Sequence, residues 1–140
     1  MFKSGPPRIL IAESDPLAMS SLRVQLSILG YLVIAEAADA REAVCLARQL
    51  CPDVIVMSLA MSSMDGLDAC KHIDREALCP IVLLCECSKT EWIQEACSLL
   101  AVQAYLVKPV SEQNLEPAIE LALARYRPFE RAQISLPTVA

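Results

Sequence analysis

Polar and charged residues follow four apolar segments of the sequence, and their types are those that bind cations or phosphoryl groups. The residues are Glu13-Ser14-Asp15, Ser58, Cys85-Glu86 and Lys108-Pro109. Carboxylates bind divalent cations, and a lysine ammonium neutralises phosphoryl oxygens. If the fold brings these residues together, they predict a pocket for a phosphoryl group or a cation. No glycine-rich loop follows any of the segments, which disfavours a nucleotide site.

Five short, largely apolar segments alternate with five amphipathic ones, and four of them end at the residues just described. The apolar segments are 8–12, 31–35, 53–57, 81–85 and 104–107. They are continuously apolar rather than alternating, which is typical of parallel strands covered by helices on both faces. The strict strand–helix order predicts an α/β, flavodoxin-like (βα)5 doubly wound sandwich with a five-stranded parallel sheet. Ligands bind such sheets at the carboxyl ends of the strands, so the polar residues are expected to converge there.

Helix-capping residues support this order. Asp15-Pro16 predicts the start of a helix in which Leu17, Ser21, Val24 and Ile28 recur at helical spacing until Gly30. The other predicted helices are 40–49 after Asp39, 67–76 after Gly66, 92–100 after the capping box Ser88-Lys89-Thr90-Glu91, and a last helix after Ser111 with Leu115, Ile119, Ala122 and Leu123 on its apolar face. We expect residues 1–7 to be a disordered lead, 8–126 one domain and 127–140 a proline-broken tail.

Length and composition exclude several classes of protein. A chain of 140 residues is the size of one domain, and 55% hydrophobic residues can build a substantial core. The formal net charge is −5 and basic residues are not clustered, so we expect no direct nucleic-acid binding. No apolar segment approaches the ~20 residues that span a bilayer, so we expect no membrane insertion and a cytoplasmic location.

Seven cysteines raise the question of disulfides or zinc. No Cys-x-x-Cys pair is present, and the only histidine, His72, stands alone. Zinc sites need clustered pairs of ligands, so these spacings disfavour a metal site. The sequence therefore predicts reduced cysteines that pack as small hydrophobic residues in the core.

Three segments carry a resemblance to a known family. Residues 8–16, residues 52–61 with Met64-Asp65-Gly66-Leu67, and Tyr105-Leu106-Val107-Lys108-Pro109 resemble the receiver domain of bacterial two-component response regulators, in the same order and spacing. The resemblance covers 8–126. The ending 105–109, followed by 117–125, is most similar to receivers of the ANTAR group, which are RNA-binding transcription antiterminators.

The resemblance implies a role for each residue of the predicted pocket. In that family two acidic residues after the first strand and an aspartate after the third strand hold Mg²⁺, and this last aspartate accepts the phosphoryl group. Glu13 matches the first acidic residue, Ser14 replaces the second with Asp15 one position late, and Ser58 replaces the acceptor. Cys85 and Tyr105 stand at the switch positions, and Lys108-Pro109 match the lysine and its proline. We therefore expect no cofactor, with Mg²⁺ binding weak or lost.

Four hypotheses follow from this partial match. The first is a pseudo-receiver, a non-enzymatic protein-interaction or dimerisation module that acts without aspartyl phosphate. The second is a receiver still phosphorylated at Ser58, Asp65 or Asp53. The third is an enzyme with Ser58 as nucleophile, disfavoured because the required base, the acid that orients it and a sharp Gly-flanked turn are missing around Ser58. The fourth is antitermination through a longer parent or a partner. Lys108 has two interpretations, a signalling role or a simple pairing with Glu13 or a backbone carbonyl.

The expected partners are proteins, namely a histidine kinase, a downstream regulator or a second copy. In receivers the face formed by the fourth helix, fifth strand and fifth helix usually carries such contacts. Trp92, the only tryptophan, and Tyr105 would lie on that face. Aromatic residues often dominate interface energies, so these two residues are the candidate interface. The alternative is that Trp92 merely covers the core.

Overall fold

The computed structural model describes residues 5–59, 61, 66–86 and 91–126 of the chain. Five strands alternate with five helices. They are β1 (Arg8–Ala12), α1 (Pro16–Ile28), β2 (Leu32–Ala37), α2 (Ala40–Leu50), β3 (Val54–Ser58), α3 (Gly66–Arg75), β4 (Ile81–Cys85), α4 (Glu91–Cys97), β5 (Val102–Val107) and α5 (Glu112–Arg125). Residues 1–4 of the expected lead at 1–7 and the whole expected tail at 127–140 lie outside the described residues, as do Asp65, Cys87 and the first three residues of the predicted capping box.

The strands form one parallel sheet in the order β2-β1-β3-β4-β5. The order reverses between β1 and β3, so the carboxyl ends of these two strands form the switch point at which α/β sheets bind ligands. Every residue of β3 and β4 is buried, as expected of central strands covered on both faces. The predicted flavodoxin-like (βα)5 fold is confirmed.

Alternate residues of each central strand enter two separate cores. On one face Ile55, Met57 and Leu83 pack with α2, α3 and α4. On the other face Val56 and Leu84 pack with α1 and α5. This alternation follows from the two-residue period of a strand, and it fixes α1 and α5 on the same side of the sheet.

Several strand and helix boundaries in the structure differ from those predicted. β2 begins one residue later and ends two residues later than predicted, and β5 begins at Val102 rather than at Ala104. α4 ends at Cys97, three residues before the predicted end, because the chain turns there and the Ser98 hydroxyl donates to the Glu95 carbonyl at 2.6 Å. Ser111 occupies the N-cap of α5 without a capping side-chain hydrogen bond.

The apolar repeat that predicted α1 lies on the outer face of that helix. Leu17, Val24 and Ile28 are exposed, whereas Met19, Leu22 and Leu26 are buried against the sheet. α1 therefore has two apolar stripes on opposite sides, because positions 17, 21, 24 and 28 share one side of a helix and positions 19, 22 and 26 share the other.

The prediction that the cysteines pack in the core is wrong for half of those described. Cys70, Cys79 and Cys85 are buried, but Cys45, Cys51 and Cys97 are exposed. Cys45 and Cys97 lie on helix positions that face away from the sheet. Cys51 follows α2 in a left-handed conformation with φ 48°, at the surface. Over the described ranges, no helix is both long enough and apolar enough to cross a membrane.

Candidate functional site

The ends of three strands bring an acid, a hydroxyl and a lysine into contact. Glu13 directly follows β1, Ser58 ends β3, and Lys108 directly follows β5. The Lys108 ammonium donates to Glu13 Oε1 at 2.8 Å and to Ser58 Oγ at 3.2 Å. The residues come from positions up to 95 apart in sequence. The predicted convergence of these three side chains is therefore found in the structure.

Backbone hydrogen bonds that continue the sheet hold the site in place. The Glu13 amide donates to the Ala37 carbonyl at 3.0 Å, and the Lys108 amide donates to the Cys85 carbonyl at 2.8 Å. The Lys108–Pro109 peptide bond is cis. These bonds extend β1 and β5 beyond their last residues, so Glu13 and Lys108 project from fixed backbone at the sheet edge.

Gly66 packs closely against the backbone at the end of β3. A Cβ on this glycine would overlap the backbone carbonyl of Leu59, so the start of α3 packs directly on the end of β3. The Leu59 amide also donates to the Leu84 carbonyl at 2.8 Å. Only glycine permits this approach, and the close packing fixes the carboxyl end of β3 beside β4.

Glu13 is a buried carboxylate with both oxygens occupied. Only 2% of the Glu13 surface is exposed to solvent. Oε1 accepts from Lys108, and Oε2 accepts from the Asp15 amide at 3.0 Å. A buried charge is strongly unfavourable unless it is paired and hydrogen-bonded, and these two donors provide that compensation. Ser58 is also only 2% exposed, so its hydroxyl is covered as well.

The other acidic-pocket residues point elsewhere. Ser14 and Asp15 are exposed. The Asp15 carboxylate caps α1, where Oδ2 accepts from the Ala18 amide at 3.1 Å. The helix N-terminus thus fixes the Asp15 side chain, and Asp15 reaches the site only through its backbone amide.

Glu86 adds a second acidic residue to the site. Its Oε2 lies 3.5 Å from Lys108 Nζ, and its side chain is largely exposed. The sequence places Glu86 at the sheet edge, but nothing in its spacing assigned it to Lys108. A groove of about 390 Å³ opens beside this cluster, between α1 and the loop after β5; it is lined by Glu13, Ala18, Ser21, Leu22, Gln25, Leu84, Glu86, Lys108, Pro109 and Val110. Its α1 residues were not predicted, because they belong to the site only through the docking of α1, where Gln25 donates to the Val110 carbonyl at 2.8 Å.

Cys85 and Tyr105, the predicted switch residues, lie in different environments. Cys85 is buried at the end of β4, and burial raises the pKa of its thiol to about 11. Tyr105 lies on the edge strand β5 and is 39% exposed. Trp92 on α4 is 61% exposed, so it does not serve mainly to cover the core.

Asp53, the alternative phosphoryl acceptor, and the lone histidine His72 both lie away from the site. Asp53 precedes β3, at the amino-terminal ends of the strands, where Oδ2 accepts from the Arg8 amide at 2.7 Å. His72 is in the last turn of α3, which runs away from the site edge. Neither residue can act as a base or an acceptor beside Ser58.

The donor set does not fit a divalent cation. Within the described parts of the chain, no three His, Cys, Asp or Glu residues are close enough together to hold a metal ion. Mg²⁺ is normally bound through carboxylates with near-octahedral geometry. At this edge Glu13 is engaged with Lys108, and Ser58 is a neutral ligand that accepts from the same ammonium.

Comparison with known proteins gives consistent matches over most of the chain. The family described as "Response regulator receiver domain" matches residues 9–120. The "Transcriptional regulatory protein PdtaR" of Mycobacterium tuberculosis is 38% identical over 135 residues, which are 96% of this chain and 65% of that protein. The "Probable transcriptional regulator ycf27" of Guillardia theta is 31% identical over 120 residues, 84% of this chain and 46% of that protein.

A solved structure matches the fold closely. The signal receiver domain of a modulated diguanylate cyclase from Desulfovibrio desulfuricans G20 superimposes with a TM-score of 0.79 at 30% identity, covering 86% of this chain and 96% of that one. The curated relatives are longer than this chain, which spans between about half and two thirds of their lengths.

Proposed function

Because this chain belongs to the response-regulator receiver family, we propose that it is a pseudo-receiver, a protein-interaction module of two-component signalling that works without aspartyl phosphate. In this proposal Ser58 occupies the position of the acceptor aspartate. The module is not an enzyme and acts in the cytoplasm, and its partner is a histidine kinase, a downstream regulator or a second copy.

The observation that carries this proposal is that the Lys108 ammonium is already hydrogen-bonded to Glu13 and Ser58. In a phosphorylated receiver the lysine ammonium must reach the phosphoryl oxygens. Here Lys108 pairs with the buried Glu13 carboxylate at 2.8 Å and donates to the Ser58 hydroxyl at 3.2 Å. A serine hydroxyl is neutral and needs a base to act as a nucleophile. The ammonium beside Ser58 is a donor and cannot accept its proton.

Intact-mass spectrometry after incubation with acetyl phosphate and Mg²⁺ tests the loss of phosphorylation. We expect no adduct on the wild type. Ser14→Asp combined with Ser58→Asp restores the two missing carboxylates and is the matched variant in which an adduct is expected. A hydroxylamine-labile adduct of one phosphoryl group on the wild type would contradict the proposal.

The same mass measurement, with site mapping, tests the alternative that another residue is phosphorylated. Ser58 is buried, which disfavours access by a serine kinase. Asp53 lies at the amino-terminal ends of the strands, whereas Lys108 follows the carboxyl end of β5. Asp65 lies outside the described residues and is tested by the mapping alone.

We further propose that Mg²⁺ binds weakly, because Glu13 is the one carboxylate retained of the three that the family uses. Calorimetric titration is expected to show no saturation below about 1 mM, and the Ser14→Asp, Ser58→Asp variant is expected to gain binding. Submillimolar saturation of the wild type that disappears in Glu13→Ala would refute this part of the proposal.

The surface formed by α4, β5 and α5 is the proposed partner surface. Trp92, Tyr105, Val107 and Leu121 are its exposed large apolar residues. Exposed apolar clusters commonly mark protein-interaction sites, and tryptophan and tyrosine are enriched among residues that dominate binding energy. Binding of the candidate kinase or regulator should weaken at least tenfold in Trp92→Ala, while Leu32→Ala, which truncates an exposed leucine on the opposite edge strand, leaves it unchanged. Equal binding by the wild type and Trp92→Ala would leave this surface without the proposed role.

Regulation of transcription antitermination, through a longer parent or a partner, is the proposed output. It is supported by the resemblance to ANTAR receivers and by the likeness to a transcriptional regulatory protein. With a net charge of −5, the chain is not expected to bind RNA directly. An RNA mobility-shift assay with the chain alone should show no binding at physiological salt. A shifted complex would contradict the proposal that this chain does not itself bind RNA.

A further inference from the structure

The groove beside α1 has walls that come from two distant parts of the chain. One wall is α1, from Ala18 to Gln25, and the other is the loop after β5, at Pro109 and Val110. The Gln25 side chain donates to the Val110 carbonyl at 2.8 Å and joins the two walls. The groove has a volume of about 390 Å³, and pockets for small molecules commonly have about 300–1,000 Å³. It is therefore large enough for a small organic molecule.

The groove is charged at one end and apolar along its length. Its charged residues, Glu13, Glu86 and Lys108, follow the carboxyl ends of β1, β4 and β5. A helix that connects two parallel strands returns the chain to their amino-terminal ends, so α1 runs away from this edge of the sheet. Leu22 therefore lies further from the charges, and together with Leu84 it gives the groove a buried apolar surface. This arrangement matches a ligand with one charged group and an apolar chain.

The sign of the charge favours a cationic ligand. Two carboxylates and one ammonium line the groove, so negative charge is in excess. Lys108 Nζ lies 2.8 Å from the buried Glu13 and 3.5 Å from Glu86, so its positive charge is shared between them. The Glu86 side chain is 74% exposed, which leaves its carboxylate accessible to a ligand. An anion would have to compete with both carboxylates for Lys108, whereas a cation would meet an accessible opposite charge.

We propose that this groove binds a small aliphatic amine, with its ammonium beside Glu86 and its carbon chain along α1 against Leu22 and Leu84. The inference goes beyond the proposed function and does not depend on it, because binding an amine requires no phosphoryl group at Ser58. The groove also differs from a magnesium site, because an ammonium can donate to a single carboxylate, whereas Mg²⁺ requires near-octahedral coordination.

The length of the groove favours a free amine over a lysine side chain of a partner protein. The α1 wall from Ala18 to Gln25 extends over about 10 Å of helix. A lysine side chain has only about four carbon atoms between its backbone and its ammonium, so it would leave part of this wall uncovered. A longer alkyl chain covers more of the wall, and each additional buried methylene group strengthens binding by up to about fourfold. Affinity should therefore rise from butylammonium to hexylammonium.

Titrations followed by the amide NMR spectrum of the isotope-labelled chain test the preference for a cation. Hexylammonium, hexanoate and 1-hexanol have alkyl chains of the same length and differ in charge. Hexylammonium is expected to bind at least about fivefold more tightly than the other two, and to shift the amide signals of Ala18, Ser21 and Lys108. Equal or tighter binding of hexanoate would overturn the proposal, as would amide shifts confined to residues outside the groove.

Glu86→Gln tests the charged partner of the ammonium. It removes the negative charge and keeps the size of the side chain, so hexylammonium should lose at least about threefold in affinity while 1-hexanol loses none. Glu95→Gln is the matched control, because it removes an exposed carboxylate of α4 that pairs with Lys71 and does not line the groove. This control should leave both affinities unchanged. Undiminished binding of hexylammonium to Glu86→Gln would refute the assignment of the groove.

N-acetyl-lysine methylamide distinguishes a free amine from the lysine of a partner protein. It carries the same ammonium on a shorter chain, and it is expected to bind at least about fivefold more weakly than hexylammonium. Equal binding of the two compounds would identify a protein lysine as an equally good occupant and would overturn the proposal of a free amine. An affinity that does not rise from butylammonium to hexylammonium would contradict the placement of the carbon chain along α1.

Discussion

Replacing Lys108 with methionine should cost the domain about 3 kcal/mol of unfolding free energy. Methionine keeps the apolar part of the side chain and removes the ammonium, so Glu13 stays buried without its charged partner. The 2.8 Å separation corresponds to a Coulomb attraction of about 6 kcal/mol at an effective dielectric constant of 20. Desolvation of both groups offsets part of this attraction, since the Lys108 and Glu13 side chains are only 20% and 2% exposed.

Glu13→Gln should cost less, about 1–2 kcal/mol, because Lys108 keeps its contacts to Ser58 and Glu86 and reaches solvent. The double variant removes both charges, so its cost should fall below the sum of the single costs by about 2 kcal/mol. Urea unfolding followed by far-UV circular dichroism measures all four proteins. A Lys108→Met cost under about 1 kcal/mol, or additive single costs, would refute the claim that Lys108 compensates the buried carboxylate.

Three further predictions concern other parts of the fold. Gly66→Ala should lower the unfolding free energy by about 1–3 kcal/mol in the same assay, because its Cβ would overlap the Leu59 carbonyl; a cost near zero would show that the loop can shift. Burial and the 2.6 Å hydrogen bond to Glu120 raise the pKa of Tyr31, so its stabilisation is complete below the ordinary tyrosine pKa of about 10 and is lost as pH rises above it. Tyr31→Phe should therefore cost about 1 kcal/mol at pH 7 and flatten the alkaline loss of stability; an identical alkaline profile would contradict this. Because burial raises the pKa of Cys85 to about 11, iodoacetamide at pH 8 should modify Cys45 at least ten times faster than Cys85, measured by peptide mass spectrometry; equal rates would contradict the burial of this position.

The central strands could be predicted closely from sequence, whereas the edges could not. β1 and β4 have the predicted bounds, and β3 differs by one residue. The misplaced strands β2 and β5 are the two edge strands, and each pairs with its neighbour through a register shift. A continuous apolar segment signals burial on both faces, but an edge strand is partly exposed and can begin or end with polar residues.

Periodicity predicted α1 but could not assign its buried side. Leu17, Ser21, Val24 and Ile28 satisfy helical spacing as well as Met19, Leu22 and Leu26 do, and only packing against the sheet distinguishes the two stripes. The same limit applies to Cys45 and Cys97, whose positions in helices were predicted but whose exposure was not. A residue's place on a helix follows from local pattern, whereas its neighbour across the sheet depends on the whole fold.

The sequence predicted which residues meet at the site, but their meeting does not by itself imply phosphorylation. The positions of Glu13, Ser58 and Lys108 at one sheet edge follow from strand order alone, so the sequence could predict their convergence. It left open whether Lys108 signals or simply pairs with Glu13, and the 2.8 Å contact establishes the pairing. A buried Glu13 requires a cation whether or not a phosphoryl group ever arrives, because an uncompensated charge there would destabilise the fold. The presence of Lys108 is thus explained by the fold itself and is no argument for phosphorylation, which must be tested at Ser58 directly.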